Sequence, residues 1–139
     1  MAVGFTSSQE LREILDAVLR ELDRDPDAAS RLRAAAALRL EFPDLKLALN
    51  LFAPDDGGLR WDFARRSKQP PKLRLRMDSG DANRLLQGRE SAAIAIVRGR
   101  LDAKADDAVA ALRFFGAVKL LVAGYRSEIA ERHPHLVLD

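Results

Sequence analysis

The 139-residue chain contains no cysteine. That excludes disulfides, thiolate catalysis and cysteine-ligated metals, and it fits a reducing compartment. Histidine is almost as scarce: His133 and His135 are the only two. Ser7, Ser8, Ser67, Ser79 and Ser91 all lie far from them in sequence, and none sits in a nucleophile-elbow context. No charge sign dominates, with 23 Lys and Arg against 21 Asp and Glu and a formal net charge of +2. The overall balance is therefore a poor argument for a polyanionic partner. The opening residues lack a basic stretch followed by an apolar run, so no secretory signal is expected. There is no uninterrupted apolar stretch of about 18 residues, so no bilayer span is expected. The ending "HLVLD" is not a peroxisomal address of the Ser-Lys-Leu type. A cytoplasmic protein is the expectation.

What is present is periodicity. Ser7 and Glu10 have capping-box spacing, and Leu11, Ile14, Leu15, Val18, Leu19 and Leu22 follow as a helical stripe. Asp25-Pro26 marks a second helix start before an alanine-rich run. Helices are predicted over about 8–23 and 26–37. The period then switches to two. Residues 38–42, 45–52, 59–65 and 72–77 alternate between apolar and polar, with Pro43-Asp44, 53–58 and 67–71 as turns. These read as a four-stranded antiparallel meander. Asp78 is the expected N-cap of a helix stopped at Gly88, another short helix follows to Gly99, and 99–105 alternate as a fifth strand. From Asp106 the pattern is helical to about Leu121 and on through Tyr125 to Arg132, before Pro134. The predicted class is α+β: a two-layer sandwich with a five-stranded, mostly antiparallel sheet whose one face is covered by helices.

Sorting strand residues by face separates two chemistries. Leu38, Leu40, Phe42, Leu49, Leu51, Trp61, Phe63, Leu73, Leu75 and Met77 point to one side. Arg39, Lys46, Arg60, Lys72, Arg74, Arg76, Arg100 and Lys104 point to the other, opposed only by Glu41, Asp62 and Asp102. The simplest reading of the basic face is a solvated surface that keeps sheet edges from pairing. It also offers an acidic membrane a peripheral contact. Nucleic acid is not expected, because base-stacking readers expose aromatics on the sheet. Here Phe42, Trp61 and Phe63 all alternate inward.

Two smaller features carry little. His133-Pro134-His135, with only Glu131 or Asp139 nearby in sequence, is a poor metal site, and no metal or cofactor is expected. The run Asp55-Asp56-Gly57-Gly58 lacks the further ligands of a calcium loop and reads as a hairpin turn. The stretch 108–124 is different: only Arg113 and Lys119 interrupt an otherwise apolar circumference. Such a helix must be enclosed, meet a partner, or line a cavity.

The second half of the chain resembles the sterol carrier protein type-2-like family of small sterol- and lipid-binding domains. The matching residues begin with the apolar positions Leu73, Leu75 and Met77, followed by Leu85-Leu86-Gln87-Gly88. Next comes the run from Ala95 to Asp106 that contains Gly99-Arg100-Leu101-Asp102, then Leu112, Phe114, Phe115 and Leu120-Leu121. Where the family has an aromatic-Met pair this chain has Ile96-Val97, and Ala105 stands for a late glycine. The resemblance covers roughly residues 8–123. It implies a single lipid-binding domain over 1–139, with 124–139 as terminal helix and tail.

It also implies a non-enzymatic carrier with an apolar tunnel between the sheet and the C-terminal helices, taking a sterol, a fatty acyl chain or a similar lipid. Trp61, Phe63, Leu75, Met77, Leu86, Ile94, Val97, Phe114, Phe115, Val118 and Leu121 are the expected lining. Arg76, Arg113 or Lys119 would meet a headgroup. A dry void of about 300 Å³ would cost on the order of 7 kcal/mol at roughly 24 cal/mol per Å³. A ligand is thus expected to contribute to stability. The alternative is an accessory or interaction module that uses the apolar helix 108–121 for a homodimer or a larger complex.

Overall fold

A computed structural model describes residues 5–106 and 108–138. The first helix, α1 (Ser8–Asp23), begins where the capping box places it: the Ser7 hydroxyl accepts the Glu10 N–H at 3.2 Å. Its stripe Leu11, Ile14, Leu15, Val18 and Leu19 is buried. In α2 (Pro26–Ala35) the Asp25 carboxylate accepts from the Asp27 and Ala28 N–H groups. The helix stops two residues short of the predicted end, because Ala36 is already extended and the Ala37 carbonyl accepts from Lys72 N–H at the sheet's margin.

The strands are β1 (Leu38–Phe42), β2 (Leu47–Phe52), β3 (Arg60–Asp62), β4 (Leu73–Arg76) and β5 (Asp102–Ala105). β2 starts later than predicted. Pro43 opens a one-turn 3-10 helix over Pro43–Leu45, and Lys46 turns the chain back in a left-handed conformation at φ 52°. The β2–β3 hairpin turns through Gly57 and Gly58, whose φ values of 91° and 83° suit glycine.

The four-strand meander needs correction. The spatial order is β3-β2-β1-β4-β5, and β4 runs parallel to β1 while every other pair is antiparallel. β3 ends early because Asp62 turns its carboxylate to the Ala64 N–H. The following segment then crosses the polar face of the sheet. There the Arg39 guanidinium donates to the Asn50 side chain at 2.6 Å and to the Arg65 carbonyl at 2.7 Å, while Asn50 donates to Asp62 and to the Ala64 carbonyl. Ser67 adds a hydroxyl bond to Asn50. The face expected to be open to water is therefore strapped over its centre, and Asn50 is only 2% exposed. Alternation marks which face a residue takes, but not what later crosses that face.

Two short helices, α3 (Ser79–Leu86) and α4 (Ala92–Val97), connect β4 to β5, and α5 (Ala108–Arg132) completes the fold before a final 3-10 turn, Pro134–Leu136. Asp78 occupies the N-cap position of α3, its carbonyl accepting the Ala82 N–H, but its side chain makes no capping bond. Asp44 reaches across and takes both the Ser79 N–H at 2.9 Å and the Ser79 hydroxyl at 2.6 Å. α5 packs on α1 and α2, and a continuous apolar core joins them to the inner sheet face. By length and composition α5 would suffice to cross a membrane. In this fold Phe114, Ala117, Leu121, Tyr125 and Ile129 turn it into a core helix along one side only.

Candidate functional site

The apolar surplus of α5 is where a site forms. A groove of about 590 Å³ opens between its outer side and the α3–α4 connection. Phe115, Val118 and Val122 form one wall, with Leu85, Ala92 and Ala93 opposite. The α3–α4 connection takes this course because Gly88 adopts φ 73° and closes α3, and because the Ser91 hydroxyl accepts the Ile94 N–H to start α4. Gly88 also faces Val122, where an added Cβ would lie 3.5 Å from Cγ1 and narrow the groove.

The polar groups around this groove are few. Lys119 and Arg126 project from α5 and Glu90 comes from the connection. Glu90 is committed elsewhere: its nearly buried carboxylate pairs with Arg100 and, at 3.8 Å, with Arg84. The two α5 cations are the charges left at the groove to meet an anionic group. Ser91 lines it too, but its hydroxyl is engaged in the cap and neither histidine borders the groove.

The expected lining residues divide into four groups. Phe115 and Val118 stand on the groove. Leu75, Met77, Leu86, Phe114 and Leu121 are at most 8% exposed and belong to the continuous core beneath α5, where they pack with the protein's own side chains. Ile94 and Val97 face solvent on α4, Val97 at 85% exposure. Trp61 sits at the other edge of the sheet, where its indole N–H donates to Asp16 of α1 at 2.9 Å, and Phe63 lies under the Arg12 guanidinium. Of the suggested headgroup cations, Lys119 borders the groove, whereas Arg76 belongs to a separate depression beside Phe63. Sequence reading missed Leu85, Ala92, Ala93, Val122 and Arg126. Small alanines carry no signal for a site, and only the helix packing makes them a wall.

Two of the helices that contribute to the groove also expose apolar side chains. Ile94, Ile96 and Val97 on α4, and Val109, Leu112 and Phe115 on α5, are all 39% or more exposed.

The far end of α5 is built in the opposite way. Tyr125, 1% exposed, donates its hydroxyl to the Asn83 side-chain oxygen at 2.5 Å. Gln87 donates to the same oxygen and to the Leu136 carbonyl, and Asn83 donates to that carbonyl too. The Leu138 N–H returns to the Gln87 oxygen. Burial pushes the Tyr125 phenol well above its ordinary value, and the nearby Glu10 carboxylate adds to the shift. For Glu10 itself burial acts upward, but the Thr6 N–H together with His135 and His133 outweighs it and holds the carboxyl below its usual value. The candidate carboxylate Asp139 lies outside the described residues.

No family model matches this sequence, and no curated protein matches it. Solved structures do. A conserved hypothetical protein from Thermus thermophilus, described as a candidate sterol carrier protein, is 21% identical over 92% of this chain and 95% of its own, with a TM-score of 0.56. Sterol carrier protein 2 from Yarrowia lipolytica is 20% identical over 87% of this chain and 98% of its own, with a TM-score of 0.58. UbiJ-SCP2, a ubiquinone synthesis protein, is 18% identical over 79% and 88%, with a TM-score of 0.56. The chain also aligns with 13% of the length of the Pseudomonas alkylsulfatase Pisa1, at a TM-score of 0.49. The chain has a sterol carrier protein 2-like fold: α+β, with a five-stranded sheet containing one parallel pair.

Proposed function

We propose that this protein binds and carries an apolar or amphiphilic molecule without transforming it. The bound molecule, a sterol, fatty acyl chain or similar lipid, lies in the groove between α5 and the α3–α4 connection, with any anionic end toward Lys119 and Arg126. The observation that carries this reading is the groove itself. Its volume of about 590 Å³ falls within the usual range of about 300–1,000 Å³ for small-molecule sites, and its walls are apolar with cations at the margin. The sterol carrier protein 2-like fold agrees with a lipid ligand. The site proposed is displaced from the tunnel that the resemblance implies: it uses the outer side of α5, because the inner side is occupied by core residues. An open groove fills with water, so the ligand's contribution to stability is smaller than for a dry cavity.

Each methylene moved into the groove contributes about 0.8 kcal/mol. Shortening a fatty acid by two carbons should therefore weaken binding by roughly tenfold. Trp61 is unsuited as the reporter, because it lies at Asp16 and away from the groove. A Phe115→Trp variant in a Trp61→Phe background places the only indole on the wall. A bromo-labelled fatty acid should quench it saturably, with affinity rising with chain length, and Val118→Arg should abolish the effect. Absence of quenching, together with a melting temperature unmoved by fatty acids, lysophospholipids and sterols, would refute the reading.

A second reading rests on the exposed apolar side chains of α4 and α5, which invite a protein partner or a second copy. In that case the protein is an accessory module, and the ubiquinone synthesis protein that shares the fold gives a precedent for a biosynthetic setting. A concentration-dependent mass by sedimentation, reduced to the monomer by Leu112→Ser, supports it. A monomer at all concentrations excludes the homodimer.

A further inference from the structure

The chain's two histidines and one glutamate from its other end converge on a single point. α5 ends at Arg132, and the His133 N–H closes on the Ile129 carbonyl at 2.8 Å. The tail then turns through Pro134–Leu136, with the Leu136 N–H bonded to the His133 carbonyl. Leu136 is fully buried, and Asn83 and Gln87 both grip its carbonyl. The two imidazoles are thus mounted on a turn fixed at both ends. Their ring centres stand 6.1 Å apart at an interplanar angle of 65°. Glu10, in the first turn of α1, meets them from the opposite side.

The contacts involve one carboxylate oxygen. Glu10 Oε2 lies 3.3 Å from His133 Nδ1 and 3.0 Å from His135 Nε2, and the three ligand atoms fall within 4.8 Å of one another. Tetrahedral zinc with bonds of about 2.0–2.1 Å holds its N and O ligands roughly 3.3 Å apart. Two of the three separations already have about that length. The other Glu10 oxygen, Oε1, accepts the Thr6 N–H at 2.9 Å, the outer-shell bond that fixes a ligating carboxylate. Glu10 and His133 are largely buried while the His135 side chain is 46% exposed, which leaves a solvent side where water can complete the shell. Two imidazoles and one carboxylate suit zinc and its neighbours, not magnesium or calcium, which prefer all-oxygen shells.

We propose that Glu10, His133 and His135 form a binding site for a divalent cation of the zinc class, which clasps the C-terminal turn to the start of α1. His133 ligates through Nδ1, His135 through Nε2 and Glu10 through Oε2. Without the ion the same three groups form a hydrogen-bonded cluster, and the bound ion replaces ring N–H protons as the shared centre. The site is separate from the groove and does not depend on what the groove binds.

The test uses the full chain without any affinity tag. Because these are the only two histidines, their imidazole ¹⁵N resonances report on the site without ambiguity. One equivalent of Zn²⁺ should shift Nδ1 of His133 and Nε2 of His135, and Co²⁺ should give the visible absorption of a tetrahedral centre. The melting temperature should rise with saturable 1:1 binding. His135→Ala changes a half-exposed residue, and Glu10→Gln keeps the size and capping ability of the side chain. Each variant should retain the native circular dichroism and weaken Zn²⁺ at least roughly tenfold. Zn²⁺ that leaves both imidazoles unshifted, that binds through the opposite ring nitrogens, or that is unaffected by Glu10→Gln overturns the proposal.

Discussion

The two halves of α5 make different use of apolar residues. Its first half, up to about Leu120, is the more hydrophobic in sequence, yet it leaves Val109, Leu112 and Phe115 in water. Its second half carries Arg126, Glu128, Glu131 and Arg132, yet it buries Tyr125 and Ile129 to 1% exposure and holds the tail through a polar network. Burial follows the availability of a covering element. Both halves bury one side in the core, the first through Ala110, Phe114 and Ala117. Among the described residues only the second is also tied to α3 and the C-terminal turn by side-chain hydrogen bonds, while the groove runs along α5 from Phe115 to Arg126. The first half is held by apolar packing along one side, the second by apolar packing together with a buried polar network.

The comparison breaks most readily at the network. Asn83→Ala removes the partner of the Tyr125 hydroxyl and of Gln87 and takes one donor from the Leu136 carbonyl. Leaving such groups buried and unpaired costs about 1–3 kcal/mol. We expect a destabilisation of about 3 kcal/mol, at the top of that range, seen as a lower urea midpoint with an unchanged m-value. A loss below about 1 kcal/mol would show that the second half is no more tightly held than the first. Gly124→Ala is the intermediate case. A Cβ there would stand 2.9 Å from Val18 Cγ1, where α1 and α5 approach closely. Overpacking of about 1–3 kcal/mol is partly offset by a helix propensity gain of about 1 kcal/mol, leaving a net loss of about 1 kcal/mol in thermal unfolding. A gain would mean that the helices separate easily. Leu112→Ser tests the other side of the comparison. At 69% exposure its effect on monomer stability should stay within about 0.5 kcal/mol. A larger loss would place Leu112 in a buried interface.

Much of the fold was legible in the residues. The α1 stripe, the Asp25-Pro26 start, the alternation in β1 and β4 and the glycine stops at Gly88 and Gly99 are local signals that act over a turn or a strand, and each produced its element. The parallel β1–β4 pairing was not legible, because alternation indicates the face of a strand but not its neighbour. The strap over Asn50 depends on contacts between β1, β2 and residues 64–67, which no local pattern announces. For the candidate site, the apolar circumference of residues 108–124 lies on the helix that borders the groove, and of the expected lining Phe115 and Val118 stand on it. Large inward-facing residues such as Phe114 and Leu75 drew attention because they are apolar. That same property places them in the core, while small residues at Ala92 and Ala93 leave the space.

The class of the fold, the sidedness of the sheet and the excess of apolar surface on α5 were already written into the order of residues, because they follow from side-chain periodicity and composition. It took the closed chain to put the groove outside α5, to bring Asp44 to the start of α3, and to set Glu10 against His133 and His135 across 123 and 125 positions of chain. Those outcomes depend on which surfaces come within a few ångströms of each other around the core. Distances of that kind are set by packing between elements remote in sequence, and no local pattern encodes them in readable form.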